Sequence, residues 1–417
     1  MNDKILIRHL LVALFIGGGF LFAVIFPASH VSYDRMAVMA TTASSSVPSV
    51  SAPDAPPVFV VTHVASPRSV KAAYMTSCIA SGKKLRAPLV QLLEETELNA
   101  LIIDVKDYTG LISYKTGDDR FPLNTKGCYV PDMKEFIGEL HEKGIYVIAR
   151  VTVMQDATYP KSHPEAAVLR RSDGGLWKDK KGLTFVDPGA TEYWEYMVDL
   201  GKISYATGFD EVNYDYIRFP SDGNMSDIKF VRTGTTTKAV MMKKFYAFLG
   251  GAMDSAGIPI SGDLFGMTTT NTDDLNIGQI LEDALLYFDF VAPMVYPSHY
   301  PPGFNGWKNP NLVPYEIIQF SMEKAVVRAN KLEEKESGWV PPKVSTTPGA
   351  ASSTPAFIPK GIYANKLRPW IQDFDYGKVY TEADVRAQKK AVYDTGLTSW
   401  MAWDPSNKYT PSAFDRD

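Results

Sequence analysis

From residue 70 onward the hydrophobic and polar positions follow two alternating rhythms. Short runs rich in Val, Ile and aromatic residues give way to longer stretches whose apolar positions recur every three or four residues. The first rhythm predicts strands at 70–76, 100–107, 146–153, within 208–220, and at 259–267, 290–296, 369–374 and 397–403. The second predicts helices at 87–98, 133–143, 191–207, 237–256, 277–287, 314–334 and 382–394, with Gly144 and Gly208 closing the second and third. Eight strand–helix pairs result if the helix after the last strand is vestigial, and this is the spacing of an α/β (β/α)8 barrel. An open doubly wound sheet would want a Gly-rich phosphate loop after its first strand. Ser81-Gly82-Lys83-Lys84 is not that fingerprint.

The stretch 208–220, Gly-Phe-Asp-Glu-Val-Asn-Tyr-Asp-Tyr-Ile-Arg-Phe-Pro, departs from its neighbours. One face carries Glu211, Asn213 and Asp215, the other Val212, Tyr214 and Tyr216. A parallel strand covered on both sides should be apolar on both. Carboxylates are rarely buried without partners, so the polar face is expected to line a cavity, with Asp215 nearest the strand's C-terminal end.

Ahead of the barrel, Lys4 and Arg8 precede an uncharged run at 10–28, which as a helix would cross roughly 28 Å of hydrocarbon. Residues 37–57, rich in Ser, Thr, Ala and Pro, read as a flexible tether. The expected organisation is a cytoplasmic basic end at 1–9, an uncleaved transmembrane signal anchor at 10–28, a linker at 29–66, and a barrel at 67–417 with a surface insertion at 335–364. The positive-inside rule puts the barrel on the extracytoplasmic side of the cell membrane; secretion after cleavage of the segment is the alternative. A net charge of -4 argues against nucleic acid as the main partner. Cys78 and Cys128 are compatible with one disulfide or with two buried thiols. No motif has metal-ligand spacing or calls for a cofactor.

In such barrels, residues at the C-terminal ends of the strands carry the chemistry. The two-residue period puts a polar or aromatic inward residue near the end of most strands. These are Asp104 with Lys106 on strand two, Arg150 on strand three, Asp215 on strand four and Asp263 on strand five. Tyr296 follows on strand six, Gln372 on strand seven, and Trp403 with Asp404 on strand eight. Each alone has a structural explanation, as an ion-pair partner, a core aromatic or a loop cap. A whole ring of buried charges does not, because each buried ion costs several kcal/mol.

Two carboxylates facing each other among aromatic platforms compose a glycosidase site, in which one carboxyl is protonated and the other stays charged. Asp215 and Asp263 form the expected pair. Asp215 would be the nucleophile or electrostatic stabiliser, held ionised by Lys106, Arg150 and Arg218, and Asp263 the acid. Reversed roles stay open, with Tyr296 positioning a substrate's own acetamido group as nucleophile. Asp104, Lys106, Arg150, Arg218, Tyr296, Gln372, Trp403 and Asp404 would bind substrate.

The runs Ile102-Ile-Asp-Val-Lys-Asp107, Ile148-Ala-Arg-Val-Thr-Val153, His163-Pro164-Glu165, Val186-Asp187-Pro188, the strand-four motif, Pro293-Met-Val-Tyr-Pro297 and Arg368-Pro-Trp-Ile-Gln-Asp-Phe374 together resemble the glycoside hydrolase barrel family of bacterial envelope proteins. The resemblance covers roughly residues 70–405 and implies the barrel fold and, through distant likeness to α-amylase-type and chitinase-type barrels, glycosidase activity. Similarity to the α-amylase type implies Asp215 as nucleophile, yet those enzymes have a Glu acid on strand five where this chain has Asp263. Similarity to the chitinase type fits Met294-Val-Tyr296 and Trp403, yet its strand-four signature ends in Glu where this chain has Asp215. The leading expectation is a membrane-anchored glycoside hydrolase of a cell-envelope or extracellular polysaccharide. A catalytically inactive glycan-binding barrel in polysaccharide export or surface assembly is the alternative. A purely structural envelope protein would leave the polar ring without explanation.

Overall fold

A computed structural model describes residues 60–340 and 357–416. The predicted basic end, the anchor at 10–28, nearly all of the linker and the middle of the insertion at 335–364 lie outside the described residues. No described helix is long and apolar enough to cross a membrane.

Eight parallel strands close a barrel: β1 (Lys71–Met75), β2 (Ala100–Lys106), β3 (Tyr146–Thr152), β4 (Glu211–Asp215), β5 (Ile260–Phe265), β6 (Phe290–Met294), β7 (Trp370–Gln372) and β8 (Trp400–Trp403). Each pairs with the next, and β8 returns to β1 with Lys71 beside Trp400. Around them run α1 (Lys83–Glu95), α2 (Met133–His141), α3 (Thr191–Thr207), α4 (Lys238–Asp254), α5 (Leu281–Tyr287), α6 (Pro314–Glu336) and α7 (Glu382–Asp394). Only a 3-10 turn, Pro411–Ala413, follows β8 among the described residues. Local chemistry sets several boundaries. Thr381 and Asp384 form a reciprocal capping box at the start of α7, and Gly208 ends α3 at φ 126°, where a Cβ would be strained.

Because β2 and β3 are buried along their whole length, they read as continuous apolar runs broken only by functional polarity. Their outward residues, such as Val105 and Val147, join a core with Phe136 of α2 and Leu200 of α3. The inward residues Ala72, Ile102, Ile148, Ala292 and Met401 fill the barrel itself.

The inward face of β4 is polar at every level. At the bottom, Glu211 accepts from Arg368 at 2.8 Å and from the Tyr146 hydroxyl at 3.0 Å. Residues just ahead of β1 close this end: the Val64 amide donates to Asp210 at 2.7 Å, and Ser66 accepts from Arg368 at 3.0 Å. Two departures from simple alternation matter above. The β2–β3 register shifts between Asp104 and Lys106. Tyr216, expected on the outer face of strand four, instead takes φ 52° and ends β4 at Asp215. Cys78, after β1, and Cys128, in the loop between β2 and α2, are joined in a disulfide.

A chain beginning at residue 58 is expected to fold as the full barrel, since the described residues from Val60 onward form one compact unit. Extending the deletion through residue 69 should lower the unfolding midpoint, because Asp210 and Arg368 lose the partners that Val64 and Ser66 provide; equal midpoints by circular dichroism would count against this role. Replacing both cysteines by Ser should also lower the midpoint. The bridge closes 50 residues, a loop whose entropy is worth about 4 kcal/mol on the chain-entropy account. Reductant should bring the unaltered protein down to the level of the variant.

Candidate active site

At the C-terminal mouth of the barrel a cavity of about 390 Å³ opens, with Arg150, Asp215, Arg218, Asp263, Tyr296 and Trp403 on its wall. The inward parity of β3, β4 and β5 brings the charged groups together. Arg150, buried, donates from Nη1 to Asp104 Oδ1 at 2.6 Å and from Nη2 to Asp215 Oδ2. Asp104 stands behind Arg150 and takes a further hydrogen bond from the Tyr74 hydroxyl. The rings of Tyr74 and Trp403 stack at 3.9 Å, and the guanidinium lies 5.0 Å from the Trp403 ring centre.

Asp215 and Asp263 lie on neighbouring strands, and their surroundings differ. Both oxygens of Asp215 are engaged: Oδ2 by Arg150 and Oδ1 by the backbone N–H of Tyr216 at 2.6 Å. A cation and an amide N–H are partners that a carboxylate takes in its ionised form. The positive φ of Tyr216 sits next to this contact, and backbone strain of that kind collects at functional positions. Asp263 receives both of its donors on one oxygen, Oδ1: Asn213 Nδ2 at 2.9 Å and Trp370 Nε1 at 2.8 Å. Oδ2 has no donor among the described residues. Burial, reinforced by the negative charge of Asp215, pushes the Asp263 carboxyl up to about 8 against the pull of Arg150 and the two hydrogen bonds. A proton on this carboxyl would sit on the oxygen without donors.

Four of the expected site residues do not line the cavity: Asp104, held behind Arg150, and Lys106, Gln372 and Asp404. Alternation placed Lys106 on the same face as Asp104; the register shift turns it away, and its Nζ lies 2.8 Å from Asp156 and donates to the Thr152 carbonyl at 2.7 Å. It therefore cannot hold Asp215 ionised. Gln372 is consumed as a latch, accepting from the Ser298 hydroxyl at 2.8 Å and donating to the Phe374 carbonyl at 2.9 Å. Asp404 shapes the turn after β8 by accepting from the Ser406 amide at 2.6 Å. Arg218 does line the cavity but makes no ion pair with Asp215; its Nη1 donates to the Phe219 carbonyl at 2.9 Å.

Other residues complete the site without having been singled out. Trp370 both walls the cavity and donates to Asp263; its parity with Gln372 on β7 marks it as inward. Phe265, Met267 and Tyr300 add apolar and aromatic surface, and Gly266 leaves room where a Cβ would come within 2.4 Å of the Met294 carbonyl oxygen. His299 comes from the turn after β6, where no strand period operates, and burial lowers its basicity.

Solved structures of similar fold include the PgaB (BpsB) glycoside hydrolase domain from Bordetella bronchiseptica, at 12% identity and TM-score 0.54 over 81% of this chain and 94% of that one. Alpha-L-fucosidase isoenzyme 2 from Paenibacillus thiaminolyticus is similar at 10% identity and TM-score 0.50, over 83% of this chain and 47% of that one. A hypothetical protein from Ruminiclostridium thermocellum ATCC 27405 has 26% identity and TM-score 0.41, covering 49% of this chain and 98% of its own. No curated protein matches the chain. The family described as "Putative glycosyl hydrolase domain" matches residues 72–346 and 350–409. That match runs through the barrel from β1 to β8, and the chain belongs to this glycosyl hydrolase family.

Proposed function

We propose that this glycosidase cleaves a cell-envelope or extracellular polysaccharide, with Asp263 as the acid and Asp215 as its charged counterpart. One observation carries the assignment: Asp215 has a donor on each oxygen, whereas Asp263, a wall residue of the cavity, has both donors on one and none among the described residues on the other. Asp263 Oδ2 would give its proton to the glycosidic oxygen as the bond breaks. Asp215 would stabilise or trap the oxocarbenium-like sugar, its position kept by Arg150. The rings of Tyr296 and Trp403 give a sugar apolar faces to rest on. We further propose that residues 10–28 anchor the enzyme in the cell membrane through the linker at 29–66, with the barrel from residue 67 on the extracytoplasmic side. The uncharged run behind Lys4 and Arg8 supports that placement.

With a panel of bacterial polysaccharides as substrates, Asp215→Asn should lose cleavage by at least about a thousandfold while its circular dichroism and unfolding midpoint stay near those of the unaltered protein. Full activity in that variant would remove Asp215 from the chemistry. Glycan binding without cleavage by the unaltered protein would favour a binding barrel.

The acid form of Asp263 exists below its titration point and disappears above it. Accordingly, kcat/KM should fall as pH rises past about 8. Removing the negative neighbour in Asp215→Asn should shift the titration of Asp263, followed by carbon NMR of labelled aspartate, to lower pH. A profile that stays level through this range, with no such shift, would exclude Asp263 as the acid.

A further inference from the structure

Four arginines are buried among the described residues: Arg86, Arg150, Arg218 and Arg368. Three of them follow the rule that a buried cation takes a carboxylate partner. Arg86 pairs with Asp132 at 2.9 Å, Arg150 with Asp104 and Asp215, and Arg368 with Glu211 at 2.8 Å. Arg218 does not. It is 8% exposed, and its protein hydrogen bonds all come from Nη1, to the Phe219 carbonyl at 2.9 Å and the Ser221 hydroxyl at 3.2 Å. Nε and Nη2 have no acceptor among the described residues, yet they are not sealed in apolar packing either. They belong to a side chain on the wall of the active-site cavity.

The guanidinium is also held still. Its carbon lies 4.9 Å from the Tyr216 ring centre and 4.6 Å from that of Phe265, and Nη1 is tied to the chain just beyond it. Anchored on one side by backbone and flanked by two rings, the group presents its remaining N–H donors in a fixed plane. Such a fork matches a carboxylate or a phosphate. Asp215, Asp222 and Asp179 act on its charge through space without pairing with it, and a neutral sugar hydroxyl would leave the fork without a carboxylate or phosphate to match.

We propose that Arg218 selects a glycan carrying an anionic substituent, a carboxylate or a phosphate ester, on the residue bound next to Asp215 and Asp263. The inference rests on the glycosidase reading for the place of the site, but its test does not require turnover. Neither Asp215 nor Asp263 pairs with it directly: the oxygens of Asp215 are taken up by Arg150 and Tyr216, and Asp263 takes its hydrogen bonds from Asn213 and Trp370. The substrate's own anion would complete the pairing made by protein carboxylates at the other three buried arginines.

The experiment uses the full chain carrying Asp215→Asn, so that no substrate is consumed, and follows binding by tryptophan fluorescence, to which Trp370 and Trp403 in the cavity wall contribute. The probes are three matched sets: glucose, glucuronate and glucose 6-phosphate, and the corresponding galactose and mannose compounds. In at least one set an acidic member should bind about ten to a hundred times more tightly than its neutral parent. Arg218→Gln added to Asp215→Asn should erase that preference while leaving affinity for the neutral sugar within about threefold. Whether the uronate or the phosphate binds more tightly distinguishes the two anions. Equal affinity across every set, absence of binding in all of them, or a preference that survives Arg218→Gln would each overturn the proposal. Cleavage of a neutral polysaccharide by the unaltered protein, alongside equal affinities here, would leave the glycosidase reading standing and this one fallen.

Discussion

The mouth of the barrel depends on one buried cation. Arg150 reaches from β3 to Asp104 on β2 and to Asp215 on β4, and Asp104 in turn holds Tyr74 of β1. Four consecutive strands are thus tied at one level by charge-assisted hydrogen bonds, where most of the barrel interior relies on apolar packing. Desolvating three ions is costly, and geometry has to recover it. Here the guanidinium plane is set between two carboxylates and lies over the ring of Trp403. Stability alone is poorly served by such an arrangement, since apolar side chains of similar volume often do as well. It does keep a carboxylate at a fixed position in a place from which water is largely removed.

With Asp215 held in that way, Asp263 answers to a different environment. The two residues come from neighbouring strands, yet one is answered by a cation and an amide, the other by an indole and a carboxamide. Burial and, after it, the negative charge of Asp215 favour the proton on Asp263. On the proposed reading, two identical side chains would acquire opposite chemistry from what surrounds them, as a hydrolase needs for an acid and an anion near neutral pH.

Much of the barrel is legible in the chain because a strand covered on both faces must be apolar on both, so Asp104, Arg150, Asp215 and Asp263 stand out against runs of Ile, Val and Leu. Parity also finds Tyr296 and Trp403. It fails where the backbone stops obeying it. The shift after Asp104 turns Lys106 toward Asp156, and nothing in Val-Lys-Asp announces a bulge. Tyr216 leaves the strand through a positive φ that only its tertiary contacts maintain. Gln372 has the right parity, but a serine 74 residues away in sequence, on the loop after β6, takes its amide oxygen. His299 and the Cys78–Cys128 bridge depend on loops meeting, which a period along one segment does not encode.

Trp370 serves two ends with one side chain. Its ring bounds the space a sugar can occupy, while its N–H sets part of the proton affinity of Asp263. On the proposed role of Asp263, replacing Trp370 with a smaller residue to admit a bulkier glycan would also remove a donor from that carboxyl, so the range of sugars accepted and the acidity at which they are cleaved would be inherited together. Divergence in this barrel would sooner proceed through Phe265 and Met267, which touch the hollow without touching the hydrogen bonds of Asp263.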